Sequence, residues 1–320
     1  MRFLFLFLLV FLSGIQGTCQ NEPSDVHVIA YWKPGDSYNF NVTKIKQKWE
    51  GKNAVVNDSL HYAATFTVLS ADTDSYNISW RMKNNLFETL QLPELSRKKF
   101  SQYEEIVVNY KTNKYGAFEG IENWRSLGQM MNELISETID VRSADSSIKA
   151  EDLRKSLNPL LKVYNSKNGV EQLVFKELLM FHFPLGKQYK KGQVYSYQEK
   201  IPVMVNSRPA TGSGVLFVRN TNSDEKRFEL VQQMKIHPDS ANKMIHDYLV
   251  QIGMRSQVID KTIASSTVQV TDDNIFDYFY DPGIPGKIVI SRETVIKVLE
   301  DNVRQIDRTI IEKISSDAKP

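Results

Sequence analysis

The stretch Trp32-Lys33-Pro34-Gly35-Asp36-Ser37-Tyr38-Asn39-Phe40 recurs as Tyr189-Lys190-Lys191-Gly192-Gln193-Val194-Tyr195-Ser196-Tyr197. Both copies place an aromatic residue and a lysine before a glycine, and two alternating aromatic residues after it. The glycine suits a turn, since it alone adopts positive φ at little cost. The aromatic residues two apart suit one face of the strand that follows.

Downstream of the first copy, Tyr38, Phe40 and Val42 alternate with polar residues, and Glu50-Gly51-Lys52-Asn53 reads as a turn. Tyr62, Ala64, Phe66 and Val68 share one face of a returning strand, and Tyr76, Ile78, Trp80 and Met82 form a third. A short crossover follows, then strands from Glu105 and Tyr115. Asn123 stands where an N-cap would open a helix, and 123–185 carries helical spacing with breaks at Pro159 and Gly169. Downstream of the second copy, strands are expected over 194–205, 215–220 and 228–236, a helix from Pro238, and strands again to Ile314. Gly212-Ser213-Gly214 and Asp272-Asp273 read as turns; Ser291–Ile314 leaves an amphipathic helix open as an alternative.

The expectation is an α+β fold of two related, mainly antiparallel curved β-sheet halves joined by a helical connector. The parts are a signal peptide at 1–18, a polar tether at 19–25, a first β-rich repeat at 26–122, the connector at 123–185, a second β-rich repeat at 186–314 and a tail at 315–320. The 320 residues suffice for a large core, and 41% apolar with 24% charged residues excludes a disordered chain. The net charge of +2 comes from 40 basic and 38 acidic residues mixed along the chain, which excludes a nucleic-acid stripe.

Arg2 followed by the apolar run Phe3–Leu12 reads as an export signal, too short to span a bilayer. The single cysteine, Cys19, lies just beyond it and forms no internal disulfide. Two readings stay open: acylation of Cys19 as an N-terminal lipid anchor, or cleavage after Gly17. Localisation would be the periplasm or the outer-membrane surface if the source is bacterial.

Chemistry is sparse. The histidines His27, His61, His182, His237 and His246 show no ligand spacing, so no metal and no cofactor is expected. Asp72-Thr73-Asp74 lacks the glycine and distal glutamate of a calcium loop. Ser-x-x-Lys recurs without a Lys-Thr-Gly partner, and no nucleophile elbow or phosphate loop is present, so no catalytic residue is assigned. Asn41, Asn57 and Asn77 open glycosylation-type triplets. The strand aromatics have two readings, a packed core or the lining of a cavity for an apolar ligand. On the second, the lining candidates are Tyr38, Phe40, Tyr62, Phe66, Tyr195 and Tyr197.

The signal, the paired aromatic-Lys-x-Gly starts and the hairpin Asn109-Tyr110-Lys111-Thr112-Asn113-Lys114-Tyr115-Gly116-Ala117-Phe118-Glu119-Gly120-Ile121-Glu122-Asn123 together resemble an uncharacterised group of exported envelope proteins of Gram-negative bacteria. The resemblance implies no active site. In outline the architecture is similar to periplasmic lipid or lipoprotein carriers, which cover a curved antiparallel sheet with helices. The function expected is an exported envelope protein, without a transmembrane span, binding an apolar, lipid-like ligand or an envelope partner. The alternative is a hydrolase or other enzyme whose site assembles only in three dimensions.

Overall fold

A computed structural model describes residues 25–145, 149–171, 175–201, 209–251, 266–298 and 301–315, with the isolated positions 255, 259, 260 and 263. Cys19, the signal and nearly all of the tether and tail lie outside these residues.

The chain runs β1 (Asp25–Val28), β2 (Ser37–Glu50), β3 (Asn53–Ala71), β4 (Ser75–Lys83), α1 (Leu86–Thr89), α2 (Glu94–Lys99), β5 (Glu105–Asn113) and β6 (Phe118–Ile121). The helices α3 (Trp124–Asp145), α4 (Ala150–Tyr164), α5 (Lys167–Gly169) and α6 (Lys176–His182) follow. Then come β7 (Lys187–Lys190), β8 (Val194–Ile201), β9 (Ala210–Asn222), β10 (Arg227–Ile236), α7 (Pro238–Gln251), β11 (Ser266–Phe279), β12 (Ile284–Val298) and β13 (Asp301–Lys313).

The expected α+β division into two sheet halves is incorrect. The chain is mostly β, with one antiparallel sheet of eleven strands in the order β6-β5-β4-β3-β2-β13-β12-β11-β10-β9-β8, and a small sheet of β1 and β7. The physical reason is β13. It pairs with β12 from Lys287↔Glu312 to Val298↔Asp301, and with β2 from Val303↔Glu50 to Lys313↔Phe40. Two separate sheets would leave β2 and β13 as long unpaired edges, so the stitch removes a costly pair of edges.

Gly35 and Gly192 take φ of 91° and 80° and open β2 and β8, so both aromatic copies start a strand of the same sheet. Asn123 stands just before α3 as expected, its carbonyl accepting from the Leu127 N–H at 3.2 Å, while its side chain reaches β5: it accepts from the Asn109 N–H at 2.9 Å and donates to the Val107 carbonyl at 2.8 Å. Gly212 and Gly214 lie within β9, not in a turn. Gly214 stands opposite Tyr197, whose ring occupies the space a Cβ would need. Asp272 and Asp273 also lie within a continuous strand, β11.

One face of the sheet packs on the helices. Along it the cross-strand rungs change character. The rung Leu230–Phe276–Ile288–Ile311–Val42 is apolar and buried. The next rung on that face reads Gln232–Asn274–Ile290–Thr309–Lys44. The one beyond reads Met234–Asp272–Arg292–Asp307–Lys46. The apolar rungs supply the hydrophobic driving force, and in the polar rungs Gln232, Asn274 and Asp272 are buried as well, so that each needs a partner.

Candidate functional site

The helix α6 sits where the rungs change character. Its apolar end drives into the sheet: Phe181 is fully buried, edge-on to Phe40 at 5.3 Å, stacked with Phe66 at 5.6 Å and edge-on to Trp80 at 5.4 Å. Such ring pairs add about 0.5–1.5 kcal/mol each beyond area burial. His182 is buried beside it. Its Nδ1–H donates to the Gly116 carbonyl at 2.8 Å, which leaves Nε2 to accept from the Tyr110 hydroxyl at 2.8 Å. Burial pushes the His182 pKa down to about 4, so the ring is neutral. Glu177, also buried, receives the Lys44 ammonium at 2.9 Å and the Tyr62 hydroxyl at 3.4 Å. These contacts fix the helix on β2–β4.

The opposite side of α6 faces β8 and β10–β12 across a cavity of about 440 Å³. Leu179, Met180, Phe183, Leu185, Ile201 and Met234 give it apolar walls. Its polar border is built on Lys176, Lys187, Glu199, Gln232, Asp272, Asn274 and Arg292. Arg292 holds Asp272 through two parallel hydrogen bonds of 2.6 and 2.7 Å, a fork geometry that only a guanidinium supplies. Asn274 donates to Gln232 at 3.0 Å and accepts from the Ser291 N–H at 3.1 Å. Lys187 donates to the Phe183 carbonyl at 2.8 Å. Desolvation lowers the pKa of Lys176 and of Lys187 and raises that of Glu199. The arrangement can accept an elongated apolar group along one wall and a polar group at the other.

No family model and no curated protein matches the chain. Among solved structures it is similar to the crystal structure of Ail, the attachment invasion locus protein of Yersinia pestis. The two are 7% identical, over 88% of this chain and 99% of that one, with a TM-score of 0.14. At that score nothing about this chain follows from the likeness.

None of the six aromatic candidates borders the cavity beside α6. Phe40 and Phe66 are brought together, fully buried, in the closed cluster around Phe181. Tyr62 is occupied with Glu177, and Tyr38 lies under the Lys313 ammonium at 5.6 Å. The Tyr195 hydroxyl accepts from the Lys190 N–H at 2.9 Å, and Tyr197 lies over Gly214 with its pKa pushed up to about 12 by burial. Among the described residues, no group of three or more His, Cys, Asp or Glu side chains is placed to hold a metal. No helix among them is long and apolar enough to cross a membrane.

Sequence reasoning missed Asp272, Asn274 and Arg292. A signal was there: Val268, Val270, Asp272, Asn274, Phe276 and Tyr278 alternate without a break, which puts both polar residues on the buried face. Lys176 and Glu199 carry no comparable sequence mark.

Proposed function

We propose that the protein is an exported envelope protein that holds an apolar, lipid-like ligand between α6 and β8–β12. The observation that carries this reading is the cavity of about 440 Å³ with its apolar wall of Leu179, Met180, Phe183 and Leu185. That volume lies within the usual range of small-molecule sites, which are concave and mostly apolar with a few placed polar groups. The apolar segment Phe3–Leu12 behind Arg2 supports export. An acyl chain on Cys19 would tether the protein at the periplasmic or outer-membrane surface.

Native mass spectrometry of gently purified protein tests the ligand. A lipid-sized adduct released by collisional activation is the expected result; the bare chain mass alone, with ordered water filling the cavity in a crystal, would sink the reading. Cys19→Ala tests the anchor by fatty-acid incorporation, which is expected to disappear; unchanged labelling rejects acylation there.

A further inference from the structure

We infer that the ligand is a single-chain amphiphile with an anionic head, a carboxylate or a phosphate monoester, and that Lys176 receives that head. The inference rests on the cavity being the ligand site. Arg292 is engaged by Asp272 through two hydrogen bonds. Asp307, across the ladder from Arg292, has Lys46 as its neighbour on the other side. Asp307 accepts from the Gln305 side chain at 2.6 Å and its charge acts on both Arg292 and Lys176.

Besides the Arg292–Asp272 pair, the charged groups at the cavity border are Lys176, Lys187 and Glu199, two ammonium groups against one carboxylate. Lys187 is held in place: it donates to the Phe183 carbonyl at 2.8 Å and lies 3.9 Å from the centroid of the Phe183 ring. Lys176 is half-buried and makes no direct hydrogen bond or ion pair among the described residues; the loss of water and the neighbouring Arg292 charge disfavour its ammonium more than Asp272, Glu199 and Asp307 favour it. Glu199, exposed on the outer strand β8, makes no direct ion pair among the described residues, and Lys176 is the cation that acts on it most strongly. An ammonium whose loss of water is not made good by the carboxylates near it is unfavourable. An anion arriving there offsets that cost, whereas a cationic head would increase it. The neighbouring apolar wall selects anions that carry a chain over those that do not.

Calorimetric titration of the purified chain distinguishes these sources. The probes are dodecanoate, dodecyl phosphate, dodecanol, dodecyltrimethylammonium, acetate and inorganic phosphate. The two chain-bearing anions are expected to bind at least about tenfold tighter than dodecanol or the cationic amphiphile. Acetate and inorganic phosphate are expected to give no heat of binding at the same concentrations. Lys176→Met is expected to weaken dodecanoate about tenfold. Glu199→Gln, which removes the competing carboxylate, is expected to strengthen it about threefold. A gain cannot come from misfolding, so the second variant carries the test if the first does not fold.

Equal binding of dodecanoate and dodecanol, with neither variant shifting the anion, overturns the anionic head and leaves the cavity reading standing. Inorganic phosphate binding as tightly as dodecyl phosphate also overturns it, in favour of a free-anion site. Binding of none of the four chain-bearing probes removes the cavity reading itself.

Discussion

Two rungs of the one sheet begin alike and end differently. Counted from Gly35, the first runs Tyr38–Phe66–Trp80–Val108; counted from Gly192, the second runs Tyr195–Leu216–Gln232–Asn274. The neighbouring rungs are Phe40–Ala64–Met82–Ile106 and Tyr197–Gly214–Met234–Asp272. Where the first stretch has an indole and a valine, the second has two carboxamides that bond each other. Where the first has Ile106, the second has a carboxylate with its own guanidinium. The strands pair the same way in both, because the backbone ladder is indifferent to the inward side chain as long as its polar groups are satisfied. The inward side chain decides what the concave face becomes. Rings meet Phe181 and close; amides and charges leave room and hold it open.

The closed rung breaks first. Phe181→Ala is expected to cost about 3–5 kcal/mol in urea unfolding, since the cavity would be ringed by Phe40, Phe66 and Trp80 and cannot collapse. A loss below about 1 kcal/mol would show that α6 is not seated there.

Acid comes next. The folded His182 pKa of about 4 lies below the ordinary 6.5, so the unfolded chain binds the proton more readily between those values. Stability from this group is therefore full above pH ~6.5 and falls as pH drops toward ~4, by up to about 3 kcal/mol. Unfolding midpoints of the wild type and His182→Gln across that window check it; parallel pH profiles would contradict the buried neutral ring.

In the open rung, Asp272→Ala is expected to cost about 2–3 kcal/mol by leaving Arg292 without its partner. Replacing both, as Asp272→Leu with Arg292→Met, is expected to recover most of that loss, because the pair's desolvation disappears with it. A double variant no better than the single one would mean that the pair is not isolated. The smallest effect belongs to Gly214→Ala. A Cβ there would lie 2.6 Å from the Tyr197 ring and 2.5 Å from the Gln233 carbonyl oxygen, for about 1–2 kcal/mol by thermal unfolding. The same position in the other rung already carries Ala64, opposite Phe40.

The strands β2, β3 and β4 were legible from their alternation, and both glycine turns from the residue type they need. The pairing of β13 with β2 was not. Alternation states which side chains share a face, but not which distant strand supplies the neighbour, and 250 or so residues separate the two strands. Lys176 and Glu199 were illegible for a related reason: they meet only because α6 lies across β8 and β10–β12. Asp272 was legible and was read as a turn because two adjacent aspartates usually are one. The strand aromatics signalled burial correctly at Phe40 and Phe66, yet nothing local states that Phe181 fills the space between them.

The most direct test of the difference between the two rungs is to locate a bound chain. Crystals grown with ω-bromododecanoate report the bromine through its anomalous scattering. The expected result is one peak between α6 and the apolar wall formed by Phe183, Ile201 and Met234, with no peak among Phe40, Phe66 and Phe181. A peak inside that aromatic cluster, or none in the cavity at saturating ligand, would contradict the account.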